Sequence, residues 1–384
     1  FMVADSVAIT TRSCAPDAVP QVWESDGSGA FTVRDAGEED SIPERGSRID
    51  ILLKEDAKKY LEKPTLEAVL KKHSSFISFP LFLEGERVNT IPALWREPKF
   101  SIKDEQYKEF YSFLTFDSQD PLSHLHISVD APVQFTSLLF VPGHSFDPFG
   151  MQREEYGLDL YVRRVLIQRQ NKDLLPEYLG FLKGVVDTED LPLNISRETL
   201  QENALIRKMA TTITKQALTH LGRLADEDKD KYEELWLAHG KSLKLGYSDF
   251  ANREKIALLM RFNSSHHEDS KGLASFDEYI ARAKDGQKAI YYVSGASREA
   301  ANLNPHLEIF KKKGVEVFYL YEPIDEFVMD TLGQYKEFTF TSVEHAELDK
   351  LDQYEDAAPE EKKEKLSEDD RPVLEKLLAK IQDI

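Results

Sequence analysis

Between Leu191 and Asn203 the chain reads Leu-Pro-Leu-Asn-Ile-Ser-Arg-Glu-Thr-Leu-Gln-Glu-Asn, an apolar run that gives way to capping residues and then to a helical pattern. Asn194 and Ser196 are both strong N-cap types, so either one puts Arg197 in the first turn, where the helix dipole disfavours a cation. Two arrangements relieve that conflict. Glu198, Asp187 or Asp190 can pair with the guanidinium, which leaves an ordinary surface ion pair. Alternatively an anion sits at the helix start, held by free backbone N–H groups and by the two-pronged guanidinium, which is the chemistry of phosphate or carboxylate binding. Gln201, one turn on, shares that face and adds an amide, although by itself it reads equally as solvated helix surface.

Other residues offer less chemistry. The adjacent His266 and His267 do not share a helix face, so they make a poor metal pair. The single cysteine, Cys14, has no partner for an internal disulfide and no second thiol for zinc, fits a reducing compartment, and is expected to be structural. Trp95 reads as core rather than as binding surface. A formal charge of -20 argues against a nucleic-acid partner. No apolar run is long enough to span a bilayer, and no signal peptide is evident, which predicts a cytoplasmic protein without membrane contact.

The elements that must position Arg197 form more than one core, because 384 residues exceed a typical single domain. Strands are predicted at Val7–Arg12, Val19–Glu24, Ala30–Arg34 and Ser47–Lys54, with a helix over Thr65–Ile77. This half-sheet needs cover on its apolar face, more of which is expected upstream of an abrupt start at Phe1. A strand and a short connection follow over 79–90. The spacing then predicts a helix over Asp104–Leu114, strands at Ser123–Val129, Thr136–Val141 and Gly157–Ile167, a short helix over Leu174–Gly180, and a strand over Phe181–Val186. Beyond Arg197, Leu205, Met209, Ile213, Ala217 and Leu221 recur at four-residue spacing, the mark of an amphipathic helix. Helices over Asp230–Gly240 and Asn252–Phe262 and a polar loop over Ser264–Lys271 come next. A β-α-β unit follows: strand Lys288–Val293, helix Arg298–Lys313 and strand Val315–Leu320, expected in a parallel pair. Residues Glu344–Arg371 read as an acidic linker, and Pro372–Ile384 as the start of an amphipathic helix.

Several blocks together resemble the ninety-kilodalton heat-shock chaperone family, in its bacterial form: Phe1-Met2-Val3-Ala4-Asp5, Arg45-Gly46-Ser47-Arg48-Ile49, Ala93-Leu94-Trp95, Thr136 to Pro142, Asp190 to Glu198, Ile290 to Val293 and Lys313 to Val317. The resemblance runs in order from the first residue to about Phe340. It implies an α+β, multidomain fold: the remnant of an antiparallel sheet/helix ATP-binding domain over 1–84, then a middle domain over 85–343. That domain would hold two α/β sandwiches, about 89–225 and 276–340, joined by a helical part at about 226–265. An acidic linker and the start of a C-terminal dimerisation domain would occupy 344–384.

The resemblance also implies function. It describes an ATP-dependent chaperone that uses ATP with Mg2+, works as a homodimer and binds unfolded or partly folded client proteins. Arg197 would reach the γ-phosphate of ATP held by the N-terminal domain, with Gln201 assisting. Ser47, where the family usually has threonine, would keep a hydroxyl in the adenine hydrogen-bond network. Phe146, Phe149 and Met151, in the loop 144–154, resemble an exposed amphipathic loop suited to clients, or else pack partly against the sheet. The family's general-base glutamate, magnesium-binding asparagine, adenine-reading aspartate and glycine-rich lid would all precede Phe1, so these 384 residues are expected to be a core piece with no bound nucleotide and no turnover of their own. The short connection at 84–90, in place of a long charged linker, favours a bacterial or organellar member. Two other readings stay open: a non-catalytic acidic interaction scaffold, and a type II topoisomerase or mismatch-repair-like ATPase, against which the net charge counts.

Overall fold

A computed structural model describes residues 1–356 apart from 16, 41, 146–155, 192–203, 269–271 and 348–350. The chain divides into two compact units, 1–94 with 161–167, and 95–160 with 168–384.

In the first unit, β1 (Ala4–Arg12), β2 (Gln21–Ser25), β3 (Thr32–Asp35) and β4 (Gly46–Leu53) form an antiparallel sheet in the order β3-β2-β1-β4. The alternation read from the sequence sets its register. Ile9 stands opposite both Trp23 and Ile49, and Trp23 opposite Val33, so these four make a row across one face. That face is open: Val33, Ile49, Ile51 and Phe31 are all more than half exposed, and Phe31 stacks on Trp23 with centroids 6.1 Å apart. The other face carries the buried Thr10 and Val22. Helix α1 (Lys63–Ser74) follows, then a two-strand ribbon, β5 (Phe82–Leu83) and β6 (Glu86–Arg87), where one longer strand was expected. Glu84 and Gly85 at φ 50° and 86° make the turn between them. Cys14 is exposed in the β1–β2 connection, so it does not serve the packing role expected of it.

The second unit starts at Trp95, which is fully buried as its sequence context predicts. Helix α2 (Asp104–Thr115) buries Tyr107, Phe110 and Tyr111 against a five-stranded sheet. Its strands are β7 (Ser123–Val129), β8 (Phe135–Val141), β9 (Leu158–Val162), β10 (Val165–Asn171) and β11 (Lys183–Thr188), in the order β10-β9-β11-β8-β7. The single strand expected over Gly157–Ile167 is in fact a hairpin. Arg163 and Arg164, at φ 50° and 67°, make its two-residue turn without the Asn or Gly that such a turn usually shows. The short helix expected over Leu174–Gly180 is two 3-10 turns, Lys172–Leu174 and Glu177–Leu179, because Pro176 removes a donor between them.

Helix α3 (Ala204–Glu227) packs on α4 (Lys229–Lys244) and α5 (Arg253–Leu259). It buries Met209, Ile213, Ala217 and Leu221, together with Ile206 and Leu218, along the predicted stripe, while Leu205 is only half-buried. The expected helix over Asn252–Phe262 stops at Leu259. Phe262 instead opens β12 (Phe262–Ser264), so the segment read as polar loop begins as a strand paired with β13 (Leu273–Ala274).

The small sheet adds α6 (Phe276–Ala281), β14 (Ala289–Ser294), α7 (Arg298–Asn302), α8 (Leu307–Lys313), β15 (Val317–Leu320), α9 (Pro323–Leu332), β16 (Gln334–Tyr335) and β17 (Phe338–Ser342). Its order is β13-β12-β15-β14-β17-β16, and β14 runs parallel to both β15 and β17. The predicted parallel pair is there, but Asn304 and Pro305 split its crossover helix into α7 and α8. Apolar residues occupy both faces of β14, as a covered parallel sheet requires: Tyr291 and Val293 pack with Leu307 and Phe310, while Ile290 and Tyr292 lie on the other side. The start of α9 meets the end of α4, where Lys244 Nζ lies 2.9 Å from Glu322 and 2.6 Å from Asp325. A cation at one helix C-terminus thus faces acids at another's N-terminus, an arrangement both dipoles favour. The expected amphipathic helix over Pro372–Ile384 lies outside the described residues.

Candidate functional site

Arg197 and Gln201 lie outside the described residues, and so do Phe146, Phe149 and Met151. What the structure shows is how the chain is held on either side of 192–203. Strand β11 delivers the chain to Leu191, and pairs antiparallel with β8 from Lys183↔Phe140 to Thr188↔Phe135. Gly184 permits this close approach, since a Cβ there would sit 2.3 Å from the Leu138 carbonyl oxygen.

At the end of β11 the side chain of Asp187 is fully buried. Its Oδ2 accepts hydrogen bonds from Trp95 Nε1 at 2.9 Å and Arg96 Nε at 2.7 Å. Arg96 Nη1 also donates to Glu189 Oε1 at 3.1 Å. Burial pulls the Arg96 guanidinium toward losing its proton, but Asp187 and Glu189 outweigh that, and the net shift is upward. Arg96 Nη2 is buried with no hydrogen-bond partner among the described residues. Behind this pair, His126 Nε2 lies 3.0 Å from the Trp95 carbonyl oxygen and its Nδ1 3.0 Å from Tyr107 Oη. Burial lowers the His126 pKa, which the Trp95 carbonyl only partly counters, so a neutral ring fits this position.

A second set of bonds fixes the next residues. Thr188 Oγ1 donates to the Gln134 carbonyl at 2.8 Å, Gln134 N–H donates to Asp190 Oδ2 at 2.9 Å, and Asp190 N–H donates to Thr188 Oγ1 at 3.2 Å. Leu191 is buried. On the far side, Ile206 and Met209 anchor the first turns of α3 in the core. Two of the acids that the sequence offers as partners for Arg197, Asp187 and Asp190, therefore also hold the chain that leads to it. The sequence reading missed this role; its one signal was an aspartate ending an apolar strand, with Trp95-Arg96 adjacent elsewhere.

Ser47 is described, and its surroundings suit part of a flat ligand. It stands opposite Thr11 at the start of β4, and the two hydroxyls are 2.7 Å apart. Two residues along the same face lie Ile9 and Ile49, so an exposed hydroxyl pair adjoins the open apolar row. The hydroxyls can donate and accept hydrogen bonds beside that apolar surface. Among the described residues no group of three or more His, Cys, Asp or Glu is placed to hold a metal, and no helix is long and apolar enough to cross a membrane. Of the described phenylalanines, Phe100 and Phe116 are the most exposed.

The order of elements, an antiparallel sheet followed by two α/β layers with a helical segment between them, matches a known class. Residues 81–384 match the family model described as Hsp90 protein, and the chain belongs to the Hsp90 family. It is similar to the chaperone protein HtpG of Nitratidesulfovibrio vulgaris, with 58% identity over 382 residues, covering 100% of this chain and 60% of that protein. The HtpG proteins of Oleidesulfovibrio alaskensis and Desulfitobacterium hafniense are 56% and 42% identical, over 99% and 94% of this chain and 59% and 58% of theirs. The chain thus spans about 60% of the length of these curated relatives.

Proposed function

We propose that this chain is the central part of an ATP-dependent molecular chaperone of the cytoplasm, in which Arg197 meets the γ-phosphate of ATP. The observation that carries the reading is the family match over 81–384, which includes the block Asp190 to Glu198. The bonds around Asp187, Thr188 and Asp190 support it, because a cation that must meet a ligand at one point needs a chain held at its base.

In this reading residues 1–84 close the ATP-binding domain, 85–343 form the middle domain, and 344–384 lead into a dimerisation domain of the homodimer. ATP with magnesium supplies the phosphoryl group to be transferred to water. The chain's own part is to bind and orient. Ser47 joins the hydrogen bonds around the adenine, the guanidinium of Arg197 stabilises charge on the phosphate oxygens, and Gln201 supplies an amide on the same helix face. Unfolded or partly folded clients would engage the apolar residues Phe146, Phe149 and Met151.

The test uses the full-length protein and this chain side by side. Arg197→Ala in the full-length protein should lower ATP hydrolysis by roughly 100-fold, the scale of losing one charge-stabilising donor. The 384-residue chain should not turn over ATP. An unchanged rate in the variant, or steady hydrolysis by the chain alone, would overturn the assignment.

A further inference from the structure

The core of the small sheet holds a side chain from beyond its last strand. Leu351 is fully buried in the cluster that includes Tyr291, Phe310, Val315 and Val343, and Tyr354 packs against the same cluster, half-buried. Both lie in the stretch that the sequence reads as a solvated acidic linker. One turn joins them, in which Tyr354 N–H donates to the Leu351 carbonyl at 3.1 Å.

What fastens that turn is a single ammonium. Lys313 is the last residue of α8, and Gly314 at φ 60° caps it, with Val315 N–H donating to the Phe310 carbonyl at 2.9 Å. This cap fixes the base of the Lys313 side chain. Its Nζ donates to the Tyr354 carbonyl at 2.8 Å and the Asp352 carbonyl at 3.4 Å, and pairs with Asp356 Oδ1 at 3.0 Å. An ammonium has three protons, and these three acceptors, all from residues 352–356, match them. The Lys313 side chain is 12% exposed, so water supplies little of its solvation. Lys312 also reaches Asp356, at 3.3 Å, but it is 53% exposed, where an ion pair is screened.

Two unlike forces therefore hold this stretch: a buried leucine with a half-buried tyrosine, and one lysine. Neither belongs to the hydrogen-bond ladder of the sheet, so the stretch can leave while β14 and β15 stay paired. We propose that residues 351–356 are a releasable strap and that Lys313 is its latch. Closed, the strap makes the chain as far as Asp356 part of the small sheet and covers the apolar slot that Leu351 fills. Open, it frees residues 351–356 and uncovers that slot. Because the latch is charged, salt shifts the balance toward the open form. The proposal does not depend on the nucleotide reading.

Amide hydrogen exchange of the 384-residue chain, read by mass spectrometry on peptides covering 351–356, 289–294 and 317–320, tests this. Lys313→Met nearly keeps the length of the side chain and removes the ammonium. It should speed exchange over 351–356 by about tenfold or more, the loss of a charge-assisted bond, and leave β14 and β15 unchanged. Lys312→Met should speed it by less than about threefold, the scale of an exposed pair. In the unaltered chain, about 1 M sodium chloride should speed exchange over 351–356 by about threefold, because it screens the pair with Asp356. This salt measurement stands whether or not the variant folds. Equal exchange over 351–356 in Lys313→Met and the unaltered chain, equal gains in both lysine variants, no response to salt, or exchange of 351–356 in step with β14 and β15 overturns the proposal.

Discussion

At the scale of single residues, the best-supported feature is the buried pair of Asp187 and Arg96, whose side chains are 0% and 13% exposed. Removing one charge from such a pair strands the other in a poorly solvated place. Asp187→Asn keeps an acceptor for Trp95 but loses the charge facing the guanidinium, and should destabilise the chain by about 3 kcal/mol. Urea unfolding followed by tryptophan fluorescence measures this, and a loss below about 0.5 kcal/mol would mean that the pair is merely tolerated. The sequence singles out Arg197 because its reading puts a cation in a first helical turn, and that residue lies outside the described residues. What one sequence could not reveal was the partner of Asp187. That contact joins Arg96 to a residue 91 positions away, and no local pattern records it.

Among the elements, long periodic segments were legible and turns were not. The stripe of Met209, Ile213, Ala217 and Leu221 announced α3, and the apolar runs at Tyr291 and Val317 announced a parallel pair. The β9–β10 hairpin was missed because its turn contains Arg163 and Arg164 in a left-handed conformation, which side chains with a Cβ enter only at a cost. That local cost can be recovered. Replacing Arg163→Asn together with Arg164→Gly should raise stability by about 1 kcal/mol, read as a higher urea midpoint with an unchanged slope. A lower midpoint would show that the two arginine side chains contribute more than their backbones lose. The splitting of the crossover at Asn304-Pro305 had a visible cause in the proline, yet the apolar residues on both sides keep one spacing and so read as one helix.

On the scale of the whole molecule, the chain hides several neutral histidines. Burial pushes His220 down to about 4, aided by Arg223 and His124, with Ser123 Oγ 3.0 Å from its Nε2. Burial likewise pushes His239 down to about 4, against the pull of the Pro142 carbonyl 2.9 Å away. In the unfolded chain both titrate near 6.5, so as pH falls the unfolded state takes up protons first. The stability they contribute is complete above about pH 6.5 and is lost as pH drops toward 4. The urea midpoint should therefore fall steadily across that window, and His239→Gln should flatten the fall. A midpoint independent of pH there would refute the buried neutral rings.

The open face of the first sheet bears on how any activity of these residues is to be measured. Val33, Ile49, Ile51 and Phe31 offer a ready apolar platform more than half exposed to water. Apolar dyes and unfolded polypeptides should adhere to such a platform. Any polypeptide-binding signal from this chain should therefore contain a background set by that platform, read as the part that Ile49→Lys and Ile51→Lys remove.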